Sequence, residues 1–409
     1  MKRILLSFLA TAVLAAPCAA AESDAAPVDR GDDEQPVVEV AFVLDTTGSM
    51  GGLIAGAKAK IWYIANQIVL GRPKPRVRMA LVPYRDKGDA YVTKVYDLTD
   101  NIDKVYRDLM SFEAAGGGDG PENVNQALHD AVTKLDWSED DTTLKIIYLV
   151  GDYPPHNEYE DAPTYDKIAY QAINEKGIYI NTILCGSNAA AAKVWKDIAL
   201  RSEGSFAQID ASGGVETVAT PYDEELAELN SELTATNVYY GKAGARRKAE
   251  RADAELATGM KAPAAADRAE FVAGAGGGKA SAAGETAAPS GAKDLVDAVR
   301  EGDVELSEVD VEDLPEKMQE MTPEQREAYL ARQQERRDAV LSRIRDLSAK
   351  RAEHQRKAMT EAEDGAEGFD AKVVEQLLAQ AAKKGLTYDA PAADEPDTAD
   401  PESPEAPAE

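Results

Sequence analysis

Pro36-Val-Val-Glu-Val-Ala-Phe-Val-Leu-Asp-Thr-Thr-Gly-Ser-Met50 decides how this chain is read. Val37 to Leu44 is a short apolar run rich in β-branched residues, the pattern of a strand buried in a parallel sheet. It ends in Asp45, Thr46, Thr47, Gly48 and Ser49, and a helix-like stretch begins at about Met50. Asp45, Thr47 and Ser49 alternate, and Gly48 lets the turn tighten. In open α/β sheets, ligands bind outside the carboxyl ends of such strands. Carboxylate and hydroxyl oxygens there suit a hard cation such as Mg²⁺. The same stretch also reads as an ordinary turn in which Thr47 or Ser49 caps the helix.

Two later segments weigh against the plain turn. Gly116-Gly117-Gly118-Asp119-Gly120-Pro121-Glu122 precedes a helix, and Leu149-Val150-Gly151-Asp152-Tyr153-Pro154-Pro155 closes a second apolar strand that starts at Leu144. With the three segments in this order, residues 37–236 resemble a von Willebrand factor type A (VWA) domain of the secreted or periplasmic bacterial type. The family's metal-ion-dependent adhesion site has Asp-x-Ser-x-Ser after the first strand, Thr from a second loop and Asp from a third. Asp45-x-Thr47-x-Ser49 and Asp152 stand at the first and third places, while Asp119 stands where the family usually has Thr. The resemblance implies a divalent cation, Mg²⁺ or alternatively Mn²⁺ or Ca²⁺, held by Asp45, Thr47, Ser49, Asp119 and Asp152. It implies a protein ligand that offers the metal an acidic side chain, and a second Asp would weaken the pull on that acid. Arg85 and Asp86, leaving another strand at the same edge, and Glu122 are candidate rim residues. For the first two a simple turn salt bridge is the other reading.

Strands alternating with helices argue for a doubly wound, mostly parallel α/β sheet flanked by helices. The resemblance adds six strands with one antiparallel edge. Thr220-Pro221 opens a helix whose Leu226, Leu229 and Leu233 form one apolar face, which predicts that it packs back on the sheet in the place of the family's C-terminal helix. Residues 237–256 are charged and helix-prone, and 257–292, rich in Ala, Gly and Ser, read as a flexible linker. A mainly helical region follows over 293–386. It holds a long charged helix from Thr322 and a short amphipathic one from Asp370. The tail from 387 is acidic and Pro-rich, the composition of disorder.

The 409 residues carry a formal net charge of −29. Phosphate backbones need clustered Lys and Arg, so nucleic acid is excluded as the expected partner. Met1-Lys2-Arg3, the apolar run Ile4 to Ala16 and Ala19-Ala20-Ala21 read as a signal peptide over 1–21, followed by a polar lead-in over 22–36. Export to the periplasm or outside the cell is therefore expected, with lipoprotein anchoring through Cys18 as a minor alternative. No later run is apolar enough to span a bilayer. After cleavage Cys185 alone remains, so the mature chain has no internal disulfide; the residue reads as a buried strand-end thiol. His156, four residues past Asp152, reads as polar surface.

The expected function is a non-enzymatic, metal-dependent protein-binding module of the cell envelope. One alternative is a Mg²⁺-dependent phosphohydrolase using Asp45, since a strand ending in Asp-x-Thr resembles the nucleophile loop of haloacid-dehalogenase-type phosphatases. That family needs Asp where Thr47 stands. Another is an envelope scaffold whose metal is purely structural. Three scattered His cannot build a His-rich zinc site.

Overall fold

β1 (Val37–Asp45) is the hub of a six-stranded sheet. The computed structural model describes residues 35–118, 120–210, 219–275, 293–361 and 369–388. A 3-10 turn at Gly48–Met50 leads into α1 (Gly51–Val69), and then β2 (Arg76–Tyr84), β3 (Tyr96–Thr99) and α2 (Ile102–Met110) follow. Next come α3 (Val124–Lys134), β4 (Leu144–Gly151), α4 (Tyr165–Lys176), β5 (Ile178–Cys185), α5 (Ala189–Arg201) and β6 (Phe206–Ile209). The strand order is β3-β2-β1-β4-β5-β6. All neighbours are parallel except β2 and β3 at the edge. The chain leaves β1 toward β2 on one side and returns through β4 on the other, which opens a crevice at the carboxyl ends of β1 and β4.

Strand alternation divides the core. Val38, Val40, Phe42 and Leu44 of β1 join Leu144, Ile146, Tyr148 and Val150 of β4 in one cluster with α1 and α2. Ala41, Val43, Ile147 and Leu149 face the other way, onto α3, α4 and α5. Both faces are covered, so the central strands read as continuous apolar runs rather than alternating ones.

Past β6 come α6 (Asp223–Thr234), β7 (Tyr239–Tyr240), α7 (Ala243–Gly259), α8 (Ala262–Ala275) and β8 (Lys293–Asp294). The chain finishes through α9 (Leu295–Glu301), α10 (Glu316–Gln319), α11 (Pro323–Glu361) and α12 (Phe369–Ala381). Two expectations are corrected here. The first is the linker over 257–292. Residues 262–275 are instead the helix α8, packed on α1 and α6. Ala is the best helix former, and its small side chain lets helices approach closely. Ala266, Ala269 and Ala273 are buried in that contact, Phe271 lies 5.6 Å from the Trp62 ring centre, and Asn66 donates to the Asp267 carbonyl at 2.8 Å. The second concerns α6. Its Leu226, Leu229 and Leu233 are buried, but it packs chiefly against α8 and α11. The helix laid beside α1 over β4 and β5 is α12. Val373, Leu377 and Ala381 enter the core there, the Tyr148 hydroxyl donates to the Val373 carbonyl at 2.9 Å, and the amides of Asn181 and Gln380 exchange hydrogen bonds. Residues 1–34, 276–292 and 389–409, which include the signal peptide, most of the lead-in, the rest of the linker and nearly all of the tail, lie outside the described residues.

Buried arginines fasten these added helices. Arg268 of α8 grips Asp103 of α2 with two bonds, at 2.6 and 2.8 Å, and donates to Asn230 of α6 at 2.7 Å. Arg351 of α11 joins Asp223, Asp267 and Glu270. Breaking such a pair leaves a buried charge without its partner, at a cost of about 3–5 kcal/mol. Arg268→Ala is expected to lose stability of that order in a urea titration with unchanged slope. A loss below about 1 kcal/mol, the ordinary range for an exposed ion pair, would show that the helix is not held this way.

Candidate metal centre

The register places the site. Leu44 pairs with Val150, so Asp45 and Asp152 emerge side by side from the two central strands. Gly151 makes the second exit possible. A Cβ there would strike the Tyr84 hydroxyl and stand 3.1 Å from the Trp195 ring. Asp45 is fully buried. Its Oδ1 accepts from the Thr47 amide at 2.8 Å and the Thr47 hydroxyl at 2.6 Å, whereas Oδ2 has no hydrogen-bond partner among the described residues. Ser49, in the 3-10 turn, is hydrogen-bonded to Asp152, whose Oδ1 is likewise buried without a partner.

The second loop closes over the first through its backbone. The Ala115 amide donates to the Thr46 carbonyl at 3.1 Å, and the Gly48 amide donates to the Gly116 carbonyl at 3.2 Å. Gly117 takes φ +80° and comes so close that a Cβ would stand 3.3 Å from Thr47 Cβ and 3.5 Å from Glu122 Oε1. Asp89 accepts from the Gly117 amide and holds the loop from the outside. Asp119 lies outside the described residues.

All three expected rim residues, Arg85, Asp86 and Glu122, are buried. Glu122 is 3 % exposed, its backbone pairs with Pro155, and its Oε2 is buried without a partner. Its carboxylate is hydrogen-bonded to Thr47 and feels the Asp45 charge, so it belongs to the centre of the site. Arg85 donates to the Thr46 carbonyl at 3.1 Å and the Glu113 carbonyl at 2.7 Å, with its guanidinium 4.6 Å from the Tyr91 ring centre. It ties the loops that carry Thr46 and Glu113 together. Asp86 accepts from the Tyr159 hydroxyl at 3.0 Å and stands 3.5 Å from His156 Nε2. His156 is not polar surface: it is buried, stacked on Tyr159 at 4.4 Å, with Nδ1 2.5 Å from Glu158. A sequence reading had no means of pairing these residues, because Asp86 and His156 come from different loops. The exposed rim is formed by Lys87, over the Tyr159 ring at 4.0 Å, Lys94, over the Tyr91 ring at 4.3 Å, and Tyr153.

Burial, and then the neighbouring Asp152 charge, push the Asp45 carboxyl up to about 7 against the hydrogen bonds from Thr47. Burial and then the Asp45 and Asp86 charges push Glu122 up to about 9, and burial also raises Asp152. Arg85, committed to backbone carbonyls, offsets little of this. Three acids with vacant buried oxygens, beside two hydroxyls, fit a hard divalent cation, which would remove both the repulsion and the unmet hydrogen-bonding capacity. Asp45 and Asp152 bond the Thr47 and Ser49 hydroxyls, and among the described residues no three of His, Cys, Asp and Glu converge at ligating distance. Cys185 is buried nearby at the end of β5, its thiol pushed up by burial and by the Asp152 and Asp45 charges, so it stays protonated and inert.

The family model described as von Willebrand factor A domain matches residues 39–220. Von Willebrand factor A domain-containing protein 7 of Homo sapiens is 38% identical over 96 residues, 24% of this chain and 10% of that protein. An ariadne-like RING finger protein of Acanthamoeba polyphaga mimivirus is 27% identical over 158 residues, 39% of this chain and 15% of that protein. The chain thus spans 15% or less of these curated relatives. Among solved structures, BatB from Bacteroides thetaiotaomicron aligns at TM-score 0.32 and 14% identity over 43% of this chain and 90% of its own. Proximal thread matrix protein 1 from the mussel byssus, solved with a zinc-occupied MIDAS motif, aligns at TM-score 0.34 and 15% identity over 43% of this chain and 42% of its own. Residues 39–220 of this chain belong to the von Willebrand factor A domain family.

Proposed function

We propose that this chain is a non-enzymatic protein-binding module whose partner engages a divalent cation at the carboxyl ends of β1 and β4. The observation that carries the reading is the pair of vacant buried oxygens, Asp45 Oδ2 and Asp152 Oδ1, beside the Thr47 and Ser49 hydroxyls. Oxygen-only donors favour Mg²⁺, Mn²⁺ or Ca²⁺ over softer metals. Asp45, Thr47, Ser49 and Asp152 would hold the ion, with Glu122 beside them. When bound, the cation supplies an open coordination position to a group on the partner. An exported, cell-envelope setting is supported by the leader-like pattern of residues 1–21, and no helix among the described residues is long and apolar enough to cross a membrane.

The test is metal-dependent stabilisation. A bound ion stabilises by mass action, about 2.7 kcal/mol at a hundredfold excess over Kd. Mg²⁺ or Mn²⁺ is expected to raise the melting temperature of wild type and leave Asp45→Ala unmoved. Equal shifts in the two proteins refute the site. A pull-down with and without chelator then separates a binding module from a scaffold with a structural metal.

A further inference from the structure

We infer that a second copy of this chain docks on the outer face of α4, as an antiparallel helix pair whose two-fold axis passes near Gln171. The inference stands apart from the metal centre and does not rest on it.

Four-residue spacing draws one stripe along α4, in which Lys167, Gln171 and Glu175 follow one another on the same side of the helix. Ile168, Ala169 and Ala172 are buried toward the sheet, while Lys167, Tyr170 and Glu175 are exposed. α5 packs alongside and brings Arg201 to the same face. The stripe, with Asp166, Tyr170 and Arg201, lines an open depression of about 480 Å³. Tyr170 of α4 and Leu200 of α5, 62 % and 78 % exposed, are the most exposed large apolar side chains among the described residues. Tyr and Arg are the side chains that most often anchor protein interfaces.

Charge selects the occupant. α4 holds two acids, Asp166 and Glu175, and two bases, Lys167 and Lys176, so it is formally neutral on a chain of net charge −29. That acidic excess opposes the approach of another copy, and the repulsion is low at a neutral face. Arg201 donates to Asp197 within its own helix at 2.8 Å, whereas Lys167 and Glu175 form no ion pair among the described residues. These two stand two turns apart, about 12 Å along the helix axis, with Gln171 midway. Two copies of α4 laid antiparallel across Gln171 place Lys167 of each against Glu175 of the other. A parallel pair would set like charges together. A two-fold interface requires this kind of self-complementary patch. Tyr170, one residue from the axis, meets its counterpart there. Since α4 joins the parallel strands β4 and β5, its reversal in the second copy reverses that copy's sheet, and the carboxyl ends of the two sheets face opposite ways.

The test is sedimentation velocity on the full chain in chelator, which removes metal bridging. Wild type is expected to be a dimer at micromolar concentration. Lys167→Glu and Glu175→Lys each set like charges together twice, and each is expected to weaken the dimer by about tenfold or more with an unchanged circular dichroism spectrum. An equimolar mixture of the two variants is expected to restore a dimer, identified as a heterodimer by native mass spectrometry. The double variant Lys167→Glu/Glu175→Lys is expected to restore it with one chain. A wild-type chain that stays monomeric at hundreds of micromolar overturns the inference, as it would if this face served a different protein. Single variants that dimerise as wild type does overturn it too. Single variants that lose the dimer and do not regain it on mixing overturn the antiparallel pairing.

Discussion

A chain ended at residue 260 is expected not to fold, although it contains all six strands of the sheet. The cut removes α8 and α12, and with them Phe271, Val272, Val373, Leu377 and Leu386 from the cluster that covers one sheet face. Each fully buried side chain of this kind contributes about 1.5–3 kcal/mol, so the five together contribute on the order of 10 kcal/mol. That matches the whole stability of an ordinary domain, about 5–15 kcal/mol. The cut also strands Asp103 without Arg268 and opens Trp62 to water. The truncated chain is expected to lack a cooperative melt and to be digested throughout by protease, while the full chain is nicked only in exposed segments. A truncated chain that melts cooperatively at the full chain's temperature would show that the added helices are ornaments on an independent sheet.

Without added metal the protein is expected to lose stability as pH rises from about 4 to about 9, and a divalent cation is expected to reverse the slope. Asp45 is held up to about 7 in the folded chain against 3.8 ordinarily. Between those values the folded chain keeps a proton that the unfolded chain has released, so the folded state binds more protons and stability falls with pH. The stabilisation is complete below about pH 4 and is lost as pH rises through about 7, with an upper bound of about 4 kcal/mol for this one group. Glu122, held up to about 9, extends the same fall to higher pH. A divalent cation needs the ionised acids, so in its presence stability grows over the same interval. Melting temperatures in chelator and in excess Mg²⁺ across this range check the sign. Asp45→Asn, which has no such proton to hold, should flatten the chelator curve. A chelator curve that rises with pH in wild type would mean the acids are ionised and paired by some other cation.

The sheet was legible because both faces of its central strands are covered. Val37 to Leu44 and Leu144 to Val150 needed no partner to be recognised, and Asp45 and Asp152 follow from where those runs stop. The rest failed for two physical reasons. Ala-rich sequence is ambiguous: the composition that suggested a linker at 262–275 also makes a close-packing helix once α1 and α6 are there to receive it. Depth is equally invisible. Arg85, Asp86, Glu122 and His156 are polar residues in loops, which ordinarily mark a surface. Here the backbone of two Gly-rich turns folds them inward, and their partners come from loops remote in sequence. For α12 the amphipathic pattern was clear, but nothing in it named the groove it fills.

The position of α12 has a consequence for how the molecule comes into being. Tyr148 meets Val373 across 225 residues, and Arg72 is bridged to Thr387 across 315. The sheet's open face is therefore sealed by a helix that lies 225 residues beyond the strand it covers. Contacts of such sequence separation form slowly, because long loops must close before they are rewarded. A nascent chain stays incompletely folded until α12 has been made, and release before that point yields a species with an exposed apolar sheet face, the kind that chaperones hold and proteases clear.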